Sequence, residues 1–335
     1  MTATAPAILG RTRTAIQPAM QEAVRRLTPR LRRPVEYHLG WLDLDGRPVE
    51  NDGGKSVRAG LALLSAAAAG VDEHVGVPGA VAIELVHNFS LIHDDLMDDD
   101  RERRHRPTVW AVFGPATAII VGDALAALAV QVVLDEPGDP PRRAAEALQE
   151  ATARMIAGQA DDLALEEESN VTIGACLAMA AGKTGALMSC AAALGAILAG
   201  APREQVGALS DFGSQLGLAF QAVDDVLGIW GEPVVTGKPA GNDIRRAKKS
   251  IPIVAALEHD DSGELRALLA ESDLGDREVA RAAVLIDRLG GRAFTEDIAS
   301  SSLAAAFASL ERSGAVPAVA AELEHVARFV VGRDR

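Results

Sequence analysis

The sequence predicts an all-α fold, a bundle of antiparallel helices around a deep central cavity. Three observations predict it. Ala and Leu dominate a chain of 335 residues that is 48% apolar and only 3% aromatic. Gly and Pro gather between the apolar segments, where they punctuate structure. Strand-type alternation of β-branched residues is scarce, and apolar residues return at helical spacing instead.

The elements follow in order. Helical spacing starts near Thr12 and runs to about Arg32, and Pro34 is expected to break it. A short helix fits residues 35–44, and the turn-rich run 45–54 reads as a loop. Further helices fit 55–69, 79–99, 111–134, 141–166, 172–199 and 202–229. A Gly- and Pro-rich loop covers 228–243, and helices at 251–258, 263–271, 276–289, 291–313 and 316–331 complete the bundle. No linker is long enough to divide the chain. It reads as one domain over 1–335, with an N-terminal helix within 1–34 and closing helices over 251–335.

Two stretches have the length of membrane spans, but 111–134 carries Asp123 and 173–200 carries Lys183. A charge in mid-span is costly in lipid, so both read as buried core helices, and no transmembrane segment is expected. The net charge of −14 argues against nucleic acid, whose phosphates demand a basic surface. It also argues against adhesion to anionic membranes. Cys176 and Cys190 lie among small apolar residues and read as buried free thiols of a reducing cytoplasm. The N-terminus has no apolar run of signal-peptide length.

The chemistry is concentrated in DDLMDDD, residues 94–100, which follows the apolar run AVAIELVHNFSLIH. Like charges one turn apart repel, and burying them without partners costs more. Such a cluster suits a hard cation; magnesium takes one or two carboxylates together with substrate phosphates. Arg101, Arg103, Arg104 and Arg106 follow at once, and a guanidinium grips phosphate through its planar fork. Acid for metal beside base for phosphate reads as a diphosphate site. On a helix His87, Leu91, Asp94 and Asp98 form one stripe. A second apolar helix leads into Asp224-Asp225, with Gln221, Asp224 and Gly228 on one face, followed by Lys238, Asp243, Lys248 and Lys249. Taken alone, this second region reads equally as a charged surface loop. Two such helices facing across a cavity would set acidic pairs on opposite walls.

Several motifs, in order, resemble those of the trans-type polyprenyl diphosphate synthases, the family that makes farnesyl and geranylgeranyl diphosphate. They are GGKSVR (53–58), HNFSLIHDDLMD (87–98), RRHRPT (103–108), Gly122-Asp123, GQADDL (158–163), Lys183-Thr184, FQAVDD (220–225) and GKPAGND (237–243). The resemblance spans 37–252 and implies an isoprenoid-synthase-type helix bundle and a homodimer. It implies a prenyltransferase in which Asp94, Asp95 and Asp98, with Asp224 opposite, serve catalysis. Asp94, Asp98 and Asp224 would hold three magnesium ions on an allylic diphosphate, whose departure they assist. Arg103, Lys183 and Lys238 would clamp that diphosphate, with Asp225 and Lys248 also at the substrates. Thr184 and Gln221 would flank the allylic cation. Lys55, Arg58, His87 and Arg104 would bind isopentenyl diphosphate, and the proton lost would go to released diphosphate. Phe89 and Ser90 would lie at the floor of the product tunnel and set a geranylgeranyl tail, although Phe89 reads equally as ordinary core.

The chain departs from the family in places. Gly228 stands where a third aspartate is usual, and aspartate restored there is expected to leave activity equal or raise it. Ser56 replaces a frequent arginine, His105 a glycine and Trp110 a frequent histidine. Two alternatives keep the fold: a class I terpene cyclase, against which the isopentenyl residues argue, and a non-catalytic partner subunit, against which the intact DDLMD argues.

Overall fold

The computed structural model describes residues 7–49, 56–168, 170–231, 241–271 and 274–332. The chain opens with α1 (Ala7–Arg25) and α2 (Pro29–His38). The break predicted at Pro34 lies earlier, between these helices. Thr28 is extended, at φ −60° and ψ 154°, because a residue before proline is pushed out of the helical region. Pro29 then starts α2 at a position where its missing N–H costs nothing. Pro34 is buried inside α2.

The next helices are α3 (Val57–Ala68) and α4 (Val77–Met97). A hairpin of β1 (Glu102–Arg103) and β2 (Arg106–Pro107) follows α4 and forms the one sheet among the described residues. The helix predicted at 111–134 is two, α5 (Val109–Phe113) and α6 (Pro115–Val133), divided at the Gly114-Pro115 step. Beyond α7 (Asp139–Glu167), the helix predicted at 172–199 is also divided. A wide π turn, Ala181–Gly185, separates α8 (Ile173–Ala180) from α9 (Ala186–Leu198). π turns inside helices frequently mark functional positions, and this one carries Lys183 and Thr184.

The long helix α10 (Arg203–Trp230) leads to α11 (Asn242–Arg245). The closing helices are α12 (Ile251–Glu258), α13 (Glu264–Leu269), α14 (Asp276–Arg288), α15 (Gly291–Arg312) and α16 (Pro317–Val331). In the centre, α9 is buried on every side from Ala186 to Ile197, as expected of a helix apolar all round. It packs on α3 and α10, α10 runs along α15, and α4 runs along α6. Leu61, Leu194 and Phe212 have no solvent exposure. A smaller core of Ile229, Ile244, Ile253, Leu265 and Ile286 ties α11 to α14 onto the end of α10.

Three helical stretches are long and apolar enough to cross a membrane by length and composition: Glu73–Met97, Pro115–Val133 and Ile173–Leu198. The last has 78% of its apolar window buried within the protein, whereas Pro115–Val133 has 44% and leaves Ile119 and Ile120 exposed. The core reading therefore suits 173–198 better than 115–133.

Candidate active site

The apolar helix α4 delivers the first acidic cluster. At its end Asp98 N–H still bonds the Asp94 carbonyl, at 2.8 Å. Asp99 then turns left-handed, at φ +55°, and Asp100 N–H returns to the Asp95 carbonyl at 2.9 Å. Aspartate tolerates that conformation better than most residues. The hairpin that follows pairs Glu102 with Pro107 and Arg103 with Arg106, so Arg104 and His105 form its two-residue loop. Both have positive φ, +53° and +59°, the signature of the tight turn that suits hairpin twist. A glycine would adopt it freely. Arg106 stacks over Tyr37 at 4.5 Å, and Trp110 donates its ring N–H to the Asp100 carbonyl at 2.9 Å.

The acids divide into two groups. Asp95 is 1% exposed; its Oδ1 accepts from Arg103 Nε at 2.6 Å, while its Oδ2 is buried without a hydrogen-bond partner. Asp94 lies on the adjacent stripe of α4. Burial pushes its carboxyl up to about 6; Lys183 opposes that rise, and Asp98 and Asp162 add to it. Lys183 reaches this place because α7 approaches the π turn closely. A Cβ at Gly158 would lie 2.7 Å from the Gly182 carbonyl carbon and 2.9 Å from Lys183 Cα. One turn along α7, Asp162 accepts from Lys183 Nζ at 2.5 Å. Burial alone would lower the ammonium, but Asp162, Asp94 and Asp98 outweigh it and hold Lys183 above its ordinary value. Glu166, another turn on, is raised by burial, then by Asp162 and Asp98. Asp162 lies in the GQADDL motif, where no local pattern assigns it a role, and Glu166 carries no signal in the sequence.

Among the described residues no three His, Cys, Asp or Glu side chains form a ready cage for a metal. The donors still fit a hard cation. They are all oxygen, they repel one another, and magnesium binds through one or two carboxylates plus substrate phosphates rather than dedicated cages.

Beside the acids opens a cavity of about 1750 Å3, lined in part by Arg58, His87, Arg103, Arg104 and Asp224. Arg58 Nη1 lies 3.3 Å from His87 Nε2. Burial, then Arg58 and Arg104, holds His87 well below its usual range, so the imidazole is neutral and accepts from Arg58. Glu84, also lining the cavity, accepts from Ala59 N–H at 3.3 Å. The predicted grouping of Arg58, His87 and Arg104 is thus brought together. Lys55 and Lys238 fall outside the described residues.

A polar relay crosses from the π turn to α10. Thr184 Oγ1 donates to Gln221 Oε1 at 2.7 Å, and Gln221 Nε2 donates to Asp225 Oδ1 at 2.7 Å. Ile251 N–H, at the start of α12, donates to Asp225 Oδ2 at 2.9 Å. This corrects the expectation that Asp225 binds substrate. The side chain is 7% exposed and both oxygens are engaged internally. Burial pushes it up to about 7 against those hydrogen bonds. Lys248 is half-buried, and its charge reaches Glu166.

Phe89 takes the ordinary-core reading. It is buried in the main core with its ring edge-on to His93, centroids 4.9 Å apart. From its stretch of α4, His87, Asn88 and Leu91 line the cavity. Ser90 Oγ donates back to the His87 carbonyl at 2.9 Å.

Gly228 faces Asp243. A Cβ there would lie 2.6 Å from Asp243 Cγ and 3.0 Å from Oδ1, so a side chain at 228 requires the Asp243 carboxylate to swing aside. Arg246, which sequence reading passed over, donates to Asp100 Oδ1 at 2.9 Å and to the Asp98 carbonyl at 2.7 Å.

Known proteins share this sequence pattern and this fold. Residues 46–286 match the polyprenyl synthetase family. The (2E,6E)-farnesyl diphosphate synthase of Mycobacterium tuberculosis is 45% identical over 98% of this chain and 93% of its own. The geranylgeranyl diphosphate synthase of that species is 43% identical over 91% of this chain and 88% of its own. A crystal structure of polyprenyl synthetase from Streptomyces coelicolor superposes with a TM-score of 0.93 at 47% identity, covering 97% of this chain and 99% of that one. A polyprenyl synthase from Caulobacter crescentus, complexed with calcium and isoprenyl diphosphate, superposes at 0.84 with 26% identity, covering 99% of each chain.

Proposed function

The chain belongs to the polyprenyl synthetase family, and we propose how its residues carry out the condensation of isopentenyl diphosphate with an allylic diphosphate to a longer linear trans-polyprenyl diphosphate. The observation that carries this reading is the Arg103–Asp95 bond of 2.6 Å. It sets an acidic wall and a basic cavity side by side, one for each diphosphate.

The reaction depends on a divalent metal, and we propose three magnesium ions held by Asp94, Asp98 and Asp224. Bound there, the metal supplies positive charge that neutralises the departing diphosphate. The protein's own groups do the rest. Lys183, steadied by Asp162, clamps the allylic diphosphate with Arg103, Lys238 and Lys248. Arg58, His87 and Arg104, with Lys55, take the diphosphate of the second substrate; desolvated guanidinium groups grip phosphate strongly there. A neutral His87 adds no further repulsion to this cluster. Thr184 and Gln221, fixed by Asp225, flank the allylic cation. The released diphosphate takes the proton.

Of the two products named for the relatives, we propose the twenty-carbon one. Phe89 is drawn into the core against His93, and this reading takes the growing tail to run past its ring rather than stop at it. We also propose a homodimer through α6. Ile119 and Ile120 are 47% and 55% exposed there, and Ile156 on the neighbouring α7 is 51% exposed. Asp123, with its side chain 67% exposed in mid-helix, makes lipid an unfavourable cover for this face. The free, buried Cys176 and Cys190 suit the cytoplasm.

The test is direct. The purified protein is mixed with magnesium, isopentenyl diphosphate and each of dimethylallyl, geranyl and farnesyl diphosphate, and the alcohols are identified after phosphatase treatment. Linear alcohols longer than the primer support the reading. Hydrocarbons or cyclic alcohols formed from one primer alone would overturn it in favour of a cyclase, for which the Arg58–His87–Arg104 cavity has no use.

A further inference from the structure

We propose that Glu84 is a positioning residue of the isopentenyl diphosphate subsite: from α4 it takes the place of an N-cap on α3 and so fixes where Arg58 stands. The inference rests on the reading of Arg58 as a ligand of that diphosphate. Arg58 is the second residue of α3, inside the turn whose N–H groups have no partner within the helix. Such a turn is ordinarily capped by the side chain of the residue just before it, held in an extended conformation. Here that residue, Ser56, is left-handed, at φ +48°. The Ala59 N–H is met instead by Glu84 Oε1 at 3.3 Å, from 25 residues further along the chain. A carboxylate also suits the positive end of a helix.

Glu84 and His87 lie one turn apart on one face of α4, and both line the cavity. They hold Arg58 from two directions. Glu84 bonds the backbone of the residue next to it, and His87 accepts from Nη1 at 3.3 Å. Burial raises the Glu84 carboxyl, while Arg58, the Ala59 N–H and Arg104 oppose the rise. The guanidinium groups proposed to receive the diphosphate thus have Glu84 among them. Asn88, one turn on, donates to the Glu84 carbonyl at 2.7 Å and is joined to His38 at 3.0 Å, which ties this turn of α4 to α2.

The remainder of α3 is fastened by other means. Gly195 of α9 backs directly onto the Ala62 carbonyl, and Ser65 Oγ accepts from Gly195 N–H at 3.0 Å. Gly60 packs on Thr12, whose Oγ1 would lie 3.4 Å from a Cβ there. Loss of the Glu84 bond would therefore loosen the first turn, the one that carries Arg58, and leave the rest of the helix in place.

The experiment uses two variants of opposite kind. Glu84→Asp keeps the charge but shortens the reach to the Ala59 N–H. Glu84→Gln keeps the reach and an acceptor oxygen but gives up the charge. Michaelis constants for isopentenyl diphosphate and for geranyl diphosphate are measured for each, with thermal melting beside them and Arg58→Ala as a reference. Glu84→Asp is expected to raise the constant for isopentenyl diphosphate about tenfold, the effect of misaligning a charge-assisted hydrogen bond. Its constant for geranyl diphosphate, its kcat and its melting should stay close to those of the wild type. Glu84→Gln is expected to keep both constants near the wild type. Three results would overturn the inference alone, with Arg58→Ala still weakened: wild-type constants for Glu84→Asp, a Glu84→Gln variant impaired as much as Glu84→Asp, or both constants raised together. A wild-type constant for isopentenyl diphosphate in Arg58→Ala would bring down the underlying reading of the subsite together with this one.

Discussion

Arg246 and Asp100 join the two acidic ends of the molecule: Nη1 donates to Oδ1 at 2.9 Å across 146 residues of sequence. Asp100 follows α4, and Arg246 follows the segment seated on the end of α10. The second nitrogen, on the Asp98 carbonyl, orients the backbone of a residue proposed to hold metal. Both side chains are less than one-third exposed, so the pair is better sheltered than ordinary surface ion pairs.

Arg246→Ala should therefore cost about 2 kcal/mol, as loss of charge-assisted hydrogen bonds does, read by urea unfolding. Its larger effect should be on catalysis at limiting magnesium, with the rate at saturating metal much less affected. A uniform drop at every magnesium concentration would show that the bond does not organise the walls.

Asp94→Asn separates stability from activity. The folded protein holds the Asp94 proton to about 6, against an ordinary 3.8. Between those values the folded state binds more protons than the unfolded one, so Asp94 makes metal-free stability fall as pH rises through that window. Asp225, pushed up to about 7, adds its own decline in both proteins. Asp94→Asn should then match the wild type near pH 4. Above pH 6 it should be more stable by roughly 2 kcal/mol, allowing for partial solvent screening of the shift. Turnover should fall by about 10³ from the loss of transition-state charge stabilisation. Melting curves of chelator-treated protein across pH, with assays alongside, check both parts.

Phe89→Ala should leave the length of the product unchanged. It should lower stability by about 3 kcal/mol, the cost of emptying a large aromatic site in a core. Chromatography of the dephosphorylated products decides the matter. A shift to longer alcohols would return Phe89 to the floor of the tunnel.

His105→Gly should raise stability by about 1 kcal/mol, because the hairpin loop holds a side-chain-bearing residue at φ +59°. Chemical denaturation measures it, and the affinity for isopentenyl diphosphate should stay within experimental error. A loss of stability would mean that the imidazole makes contacts that outweigh the backbone cost.

Much of the bundle was legible because periodicity and burial have one cause. Residues 186–197 are apolar on every side and fully interior, and the α4 stripe placed His87, Asp94 and Asp98 on one face. The gathering of Arg58, His87 and Arg104 was legible through motif resemblance. What was not legible depends on neighbours distant in sequence. Thr28 and Pro29, rather than Pro34, end the first helical run, because proline restrains the residue before it more than it disrupts this particular second turn. The π turn at Lys183 has no periodic signature, and its close approach to Gly158 emerges only when α7 lies against it. Asp225 was expected at the substrates through motif resemblance, yet its carboxylate bonds the start of α12. Gly228 read as a lost carboxylate for the same reason: nothing local reveals that Asp243 is there.

The relay from Thr184 to Asp225 bears on the fate of the carbocation proposed to lie beside it. Thr184 directs its only hydroxyl hydrogen to Gln221, and Gln221 directs an amide hydrogen to Asp225. Lone pairs, not protons, remain on the two oxygens that meet. Such oxygens can soften positive charge electrostatically, and the hydrogen bonds between them hold both in place rather than leaving them free to approach a carbon. An electron-deficient carbon could therefore survive there until the incoming double bond reaches it.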